Sequence, residues 1–402
     1  MSQIISRRTL GAVVLLGTLG SFTARAADVK TVFVIAMENH NWTQPANQFT
    51  GGIQQIYQNP NAPFINSLVN GTGLAIVDGK VVNISGQTAY AAAYHNVLDT
   101  AAGNNPHIHP SEPNYLWAEA GTNFGVLNDN DPFKNPGGTN QNTGLHLSNL
   151  LTLNGKSWKS YQEDIDLAKN ASSQLTNVPL PEDMWTVPLA SFSGVFASGV
   201  NAYNGSAQYN YAAKHNPMVF FTDSNGGNNA TPSNALSKQY APLQQLQADL
   251  DNDNVADYNW ITPNQYNDMH TALSGGYKGL TGDAANIKQG DDFLNQIVPA
   301  IMASKAYKNH GVIILWWDES EGDGAAGDNA DEFDHTIGEI VISQHAHANV
   351  DGLPYASPVN LTHSADLRTM QELFRVGPFL GDAVNGPDLS DLFGPGAIPP
   401  KP

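Results

Sequence analysis

The chain has 402 residues, 41% of them hydrophobic and 14% charged, which suits one large α/β domain or two smaller ones and excludes a coiled coil or a disordered acidic tail. Its formal net charge of −19 disfavours nucleic acid and anionic membranes, whose phosphates it would repel. With no cysteine, the fold has no disulfide, and any metal must be held by oxygen and nitrogen.

Residues 1–26 read as an export signal. Ser6-Arg7-Arg8-Thr9-Leu10 precedes an apolar run to Phe22, and Ala24-Arg25-Ala26 fits a small-x-small cleavage site. The paired arginines suggest twin-arginine export, with an ordinary secretory signal as the alternative. Either predicts a periplasmic or secreted product. Residues 27–402 are then expected to form a single domain, and no later apolar run is long enough to span a membrane.

The first predicted strand, Thr31–Ala36, ends in Met37-Glu38-Asn39-His40. In His109-Pro110-Ser111-Glu112-Pro113-Asn114-Tyr115, each proline restricts its predecessor to extended geometry. That frame sets Ser111 at the head of a helix, where amides favour an oxyanion or a phosphate. A proline-rich turn with a capping serine is the plainer reading. Residues 120–215 are rich in Asn, Gly and Ser and weakly periodic, a candidate lid or insertion.

A strand is expected over Val219–Thr222 and a helix over 236–250, where Leu236, Leu243, Leu246 and Leu250 share one side. Asp249, Asp251, Asp253 and Asp257 partly resemble a calcium loop, but the glycine and closing glutamate are missing. Tyr258–Thr262 is the next strand. It leads into Pro263-Asn264-Gln265-Tyr266-Asn267-Asp268-Met269-His270, where Asp268 and His270 can converge on one ion or anion.

A helix over 291–306 precedes the apolar strand Gly311–Trp317, which ends in Asp318-Glu319. Adjacent carboxylates at the end of a buried strand need a positive partner, and in α/β sheets ligands bind outside the carboxyl ends of strands. Asp334-His335 precedes a last strand, Ile337–Ser343. A helix over 365–375 follows Ser364 as its cap. Strands alternating with helices predict a layered α/β sandwich.

Taken in order, Met37-Glu38-Asn39-His40, the His109–Tyr115 segment, Pro263–His270, Trp317-Asp318-Glu319, Asp334-His335 and His363-Ser364-Ala365-Asp366-Leu367-Arg368-Thr369 resemble the phosphoesterase family of bacterial acid phosphatases and non-specific phospholipases C. That family is similar in core to alkaline phosphatases. The resemblance covers residues 30–376. It implies a three-layer sandwich around a mostly parallel sheet. It also implies a metal-dependent hydrolase acting on phosphate monoesters through a phosphoserine.

The roles it implies are Ser111 as nucleophile, Asn114 on a phosphate oxygen, and His270 and His335 on phosphate or a second metal, with His215 of Lys214-His215-Asn216-Pro217 a further candidate. Glu38, Asn39, Ser111, Asp318 and Glu319 would hold a divalent ion: Ca, Mn, Mg, Zn or Fe. Nucleotide pyrophosphatases have Asp-His where this chain has Asp318-Glu319, so one oxygen-rich metal is implied rather than two zincs. The expected partner is a small phosphorylated substrate or a phospholipid headgroup. The rivals are a phospholipase C-type diesterase and a non-catalytic exported protein that binds a phosphorylated ligand or a cation.

Overall fold

A computed structural model describes residues 29–45, 54–96, 109–321, 335–349, 351 and 353–399. The export-signal residues and Asp334 lie outside them.

Eight strands form the central sheet: β1 (Thr31–Met37), β2 (Thr88–Ala91), β3 (Trp158–Gln162), β4 (Tyr240–Pro242), β5 (Tyr258–Thr262), β6 (Gly311–Trp317), β7 (Glu339–Ser343) and β8 (Tyr355–Ser357). Their order is β4-β3-β5-β1-β6-β7-β2-β8. The first five run parallel, and β7 pairs antiparallel with both β6 and β2. Both faces of β1 and β6 are covered, which is why their sequences are continuous apolar runs rather than alternating ones.

Five helices matter for the site: α1 (Pro63–Val69), α2 (Ser111–Ala120), α3 (Leu147–Leu153), α4 (Asp283–Ala303) and α5 (His363–Phe374). Helices α2, α3 and α5 pack together in one layer, and α1 with α4 in the other. The result is the expected three-layer sandwich with a mostly parallel sheet. Among the described residues, no helix is long and apolar enough to cross a membrane.

Several sequence expectations need correction. Val219–Thr222 is not a strand. Pro217–Phe220 is a 3-10 turn whose apolar side chains are buried against α2. The helix over 236–250 is confined to Leu246–Asp251. Pro242 lacks an amide hydrogen and ends edge strand β4, a place where proline is tolerated. The carboxylates of the calcium-like run take protein donors: Asp249 from Lys159, Tyr161 and Gln245, Asp257 from Ser157.

Helix α4 starts at Asp283, eight residues before the expected Asp291. Gly290 masked its first turns. A Cβ there would lie 2.3 Å from Met269, so the glycine lets α4 approach the loop that carries Asp268 and His270. The last predicted strand is interrupted at Gly338, which faces the Trp317 ring. Thr336–Ile337 pairs with Asn41–Thr43, and β7 joins the main sheet. Ser364 is not a cap. Helix α5 is entered through extended Thr362, and the Ser364 hydroxyl accepts from Trp117 and donates to Asp382.

Within 120–215, β3 belongs to the central sheet, whereas Leu167–Pro179 and Phe192–Tyr211 form antiparallel hairpins. Fully buried His146 ties this stretch to α2. Its Nδ1 lies 3.0 Å from Glu119 and its Nε2 2.7 Å from Asp223. Burial opposes the charge on His146, but the two carboxylates outweigh it and raise its pKa to about 9.

A raised imidazole pKa gives stability that is fully present below the unfolded value and lost as pH rises through the folded one. Global stability should therefore fall by roughly 2–3 kcal/mol between pH 6.5 and 9.5 through this group. Urea unfolding of wild type and His146→Gln checks this. A wild-type pH slope no steeper than the variant's across that window rules it out.

Candidate active site

The site lies where three parallel strands end. Ala36 and Met37 of β1 are in register with Trp316 and Trp317 of β6, so Glu38 and Asp318 leave the sheet side by side. On the other flank, β1 pairs with β5, which delivers the loop 263–270. Backbone bonds join the three exits: Glu38 N–H donates to Asp268 O at 2.8 Å, and Asp318 N–H to Met37 O at 3.2 Å. Asn39 sits in the left-handed region (φ 36°), which asparagine tolerates better than most residues. This turns its amide towards Asp318 Oδ1, 3.0 Å away.

Opposite them stands the start of α2. Every residue of this helix is buried. It ends at Gly121, which has φ 66° and lies so close to Leu380 that a Cβ would meet its carbonyl oxygen at 2.5 Å. Ser111 is its first residue and is 1% exposed. Ser111 Oγ lies 3.0 Å from Glu38 Oε2, 3.3 Å from Glu319 Oε1 and 3.5 Å from Asn39 Oδ1. The hydroxyl has one proton for three acceptors. Asn114, one turn on, donates to Glu319 Oε2 at 3.3 Å, and His109 Nδ1 reaches the same oxygen at 2.9 Å.

A second donor set shares Glu38. Ligand atoms of Glu38, His215 and Asp268 lie within 4.8 Å of one another. His215 Nε2 is 3.1 Å from Glu38 Oε1 and Nδ1 is 3.4 Å from Asp268 Oδ2. The ring stacks on Tyr115, whose hydroxyl donates to Glu38. Burial, then Lys214 and His270, push the His215 pKa well down, so it is neutral with one N–H facing two carboxylates.

The electrostatics are those of a site short of positive charge. Burial, then Asp318 and Asp268, raise Glu38 well above the usual carboxylate range. Burial and Glu319 lift Asp318 to about 8, and burial raises Asp268 too. Asp268 Oδ2 and Asp318 Oδ2 are buried without a hydrogen-bond partner. Orphaned carboxylate oxygens and a surplus of acceptors around one hydroxyl fit a divalent cation. Glu38, Asn39, Ser111, Asp318 and Glu319 suit an oxygen-preferring ion, and Glu38, His215 and Asp268 offer a mixed nitrogen and oxygen set.

The structure thus brings together seven expected residues, Glu38, Asn39, Ser111, Asn114, His215, Asp318 and Glu319. The His270 ring is 5.8 Å from that of His215, and its pKa is lowered to about 4 by burial and Lys214. Met269, with φ 85°, bends the loop so that the His270 amide donates to Asp268 Oδ1 at 2.8 Å. His335 is buried beside Thr336–Ile337, and its carbonyl accepts from His95 Nδ1 at 2.9 Å.

Asp268 belongs to the site although only its weak Asp-x-His spacing marked it. Tyr115, His109 and Lys214 are further additions that adjacency to the motifs could have flagged. Behind Glu38 lies His40, whose Nδ1–H donates to the Glu38 carbonyl at 3.2 Å and whose Nε2 is 2.9 Å from Asp283. Burial opposes its charge, but Glu321 and Asp283 raise its pKa to about 9, so a charged imidazole braces the first strand end.

The model of the Phosphoesterase family matches residues 21–376. Phosphatidylinositol-3-phosphatase of Mycobacterium tuberculosis is 25% identical over 340 residues, 84% of this chain and 78% of that protein. An acid phosphatase of Aspergillus fumigatus is 26% identical over 211 residues, 52% of this chain and 36% of its own length. Among solved structures, a protein in the alkaline phosphatase superfamily from Vibrio parahaemolyticus superposes with a TM-score of 0.45 at 11% identity, covering 91% of this chain and 72% of its own.

Proposed function

The chain belongs to the Phosphoesterase family, and from that premise we propose that it is an exported, metal-dependent phosphatase that cleaves phosphate monoesters through a phosphoserine at Ser111. The observation that carries this reading is the Ser111 hydroxyl, buried at a helix start and ringed by Glu38, Asn39 and Glu319. A protein that only binds a phosphorylated ligand has no need of that hydroxyl.

A divalent cation held by Glu38, Asn39, Asp318 and Glu319 would lower the serine pKa and offset charge on the phosphoryl group. The remaining chemistry falls to the chain's own residues. Ser111 Oγ forms a bond to phosphorus as the ester P–O bond breaks, and its proton passes to Glu38 Oε2, 3.0 Å away. Asn114 Nδ2 donates to an equatorial phosphoryl oxygen, exchanging its bond to Glu319 for one to substrate. His270, neutral near pH 7, serves the leaving oxygen as a hydrogen-bond donor. Water then attacks phosphorus from the opposite side as the Ser111 Oγ–P bond breaks; the proton held by Glu38 returns to Oγ, and the proton water loses makes up for the one taken up by the leaving oxygen.

The test is to quench turnover of nitrophenyl phosphate in acid and locate phosphate by peptide mass spectrometry. Phosphate on Ser111 is expected. A label on another residue, or none under burst conditions, sinks the covalent route. The name of the mycobacterial relative supports a phosphorylated inositol headgroup as one substrate to try. Export is supported by Arg7-Arg8 and the apolar run after them. Cell fractionation of wild type and Arg7→Lys/Arg8→Lys tests it, and equal periplasmic yield of the two would contradict the twin-arginine route.

A further inference from the structure

One pair of charges beside Ser111 is not used by this chemistry. Lys214 lies in the 3-10 turn Ala213–His215 that places His215 on Tyr115, and its charge is felt by Glu38 and Glu319. Its side chain is 13% exposed, and the ammonium lies 2.9 Å from Asp129 Oδ2. The other oxygen, Asp129 Oδ1, accepts from the amide of Glu112 at 3.1 Å, in the first turn of α2 and next to the nucleophile. Asp129 itself sits on the connection after α2 and is 32% exposed.

A carboxylate therefore bridges a helix-start amide and a buried ammonium, the two kinds of donor a phosphoryl group would seek. We propose that Lys214 is the specificity-determining cation for the dianionic phosphoryl group of a monoester, and that Asp129 occupies its place until substrate displaces that carboxylate.

The proposal rests on the phosphatase reading and adds which esters the site prefers. Burial opposes charge on Lys214, but Glu38, Asp129 and Glu319 outweigh it and keep the ammonium charged. Displacing Asp129 leaves that ammonium facing carboxylates on one side and incoming phosphate on the other. A monoester has one more negative oxygen to offer than a diester, so the reward for reaching Lys214 is larger for the monoester. Asp129 is exposed enough to swing into water, where its charge is solvated without a new partner.

The experiment measures kcat/KM for nitrophenyl phosphate and bis-nitrophenyl phosphate, and inhibition by inorganic phosphate, on wild type, Lys214→Met, Lys214→Arg and Asp129→Asn. Lys214→Met should lower the monoester-to-diester ratio of kcat/KM by about 30-fold, and Lys214→Arg should recover most of it. Asp129→Asn should tighten phosphate inhibition about fivefold, chiefly through KM-type terms.

An unchanged ester ratio in Lys214→Met overturns the specificity role. Unchanged or weaker phosphate inhibition in Asp129→Asn overturns the displacement. Wild type that hydrolyses neither ester instead overturns the phosphatase reading itself, so the two failures are distinct.

Discussion

Ser111→Ala is expected to lower kcat for nitrophenyl phosphate by about 10⁴-fold or more while leaving the fold intact. Ala fits the first turn of α2, where Ser111 meets Glu38, Asn39 and Glu319 through its hydroxyl. Removing it deletes the atom that bonds to phosphorus, so the loss should fall on kcat rather than on KM. Binding of phosphate should survive, because Asn114 remains. Circular dichroism and a phosphate-protected thermal melt control for folding. Turnover within tenfold of wild type would show that water, not Ser111, attacks phosphorus.

The second large effect is at Glu38, and its sign depends on the cation. Glu38 is fully buried, and Asp318 and Asp268 repel its charge. Glu38→Gln keeps the shape and the acceptor for Tyr115 while removing one of the crowded charges. In chelator-treated protein, the variant should melt at the wild-type temperature or roughly 2–5 °C above it.

With saturating divalent cation the order should invert, since wild type gains binding free energy that the variant lacks. Activity of Glu38→Gln should fall about 10³-fold. Differential scanning calorimetry with and without added Mn, Mg, Ca or Zn decides it. Equal responses of wild type and variant to every ion would remove Glu38 from the ligand set.

Much of the site was legible because its residues occupy strand ends. Two apolar runs, Thr31–Met37 and Gly311–Trp317, announce buried parallel strands, and the acids that follow them have nowhere else to go than the carboxyl edge of the sheet. The proline frame around Ser111 was also readable, and it does begin a helix.

Three short strands were hidden for a physical reason. Thr88–Ala91, Tyr240–Pro242 and Tyr355–Ser357 are three or four residues long and gain their identity from the neighbour they pair with, not from their own pattern. The leucines of 236–250 do have helical spacing, but Pro242 overrides it. Tyr115 and Lys214 stand inside motifs of the sequence, but what each one meets is set by the packing of α2 and of the turn before Pro217.

The central position of β1 has a consequence for how the chain is made. Thr31–Met37 pairs on one edge with Tyr258–Thr262 and on the other with Gly311–Trp317. Both partners are synthesised more than two hundred residues later. At about 5–20 residues per second, an apolar strand waits roughly ten seconds or longer without either neighbour. The N-terminal part of the sheet therefore cannot close until residues beyond 311 are made, and the candidate ligand Glu38 stays solvated until then. A holdase that covers newly made apolar segments should bind ribosome-stalled chains ending near residue 250 and release chains that include β6.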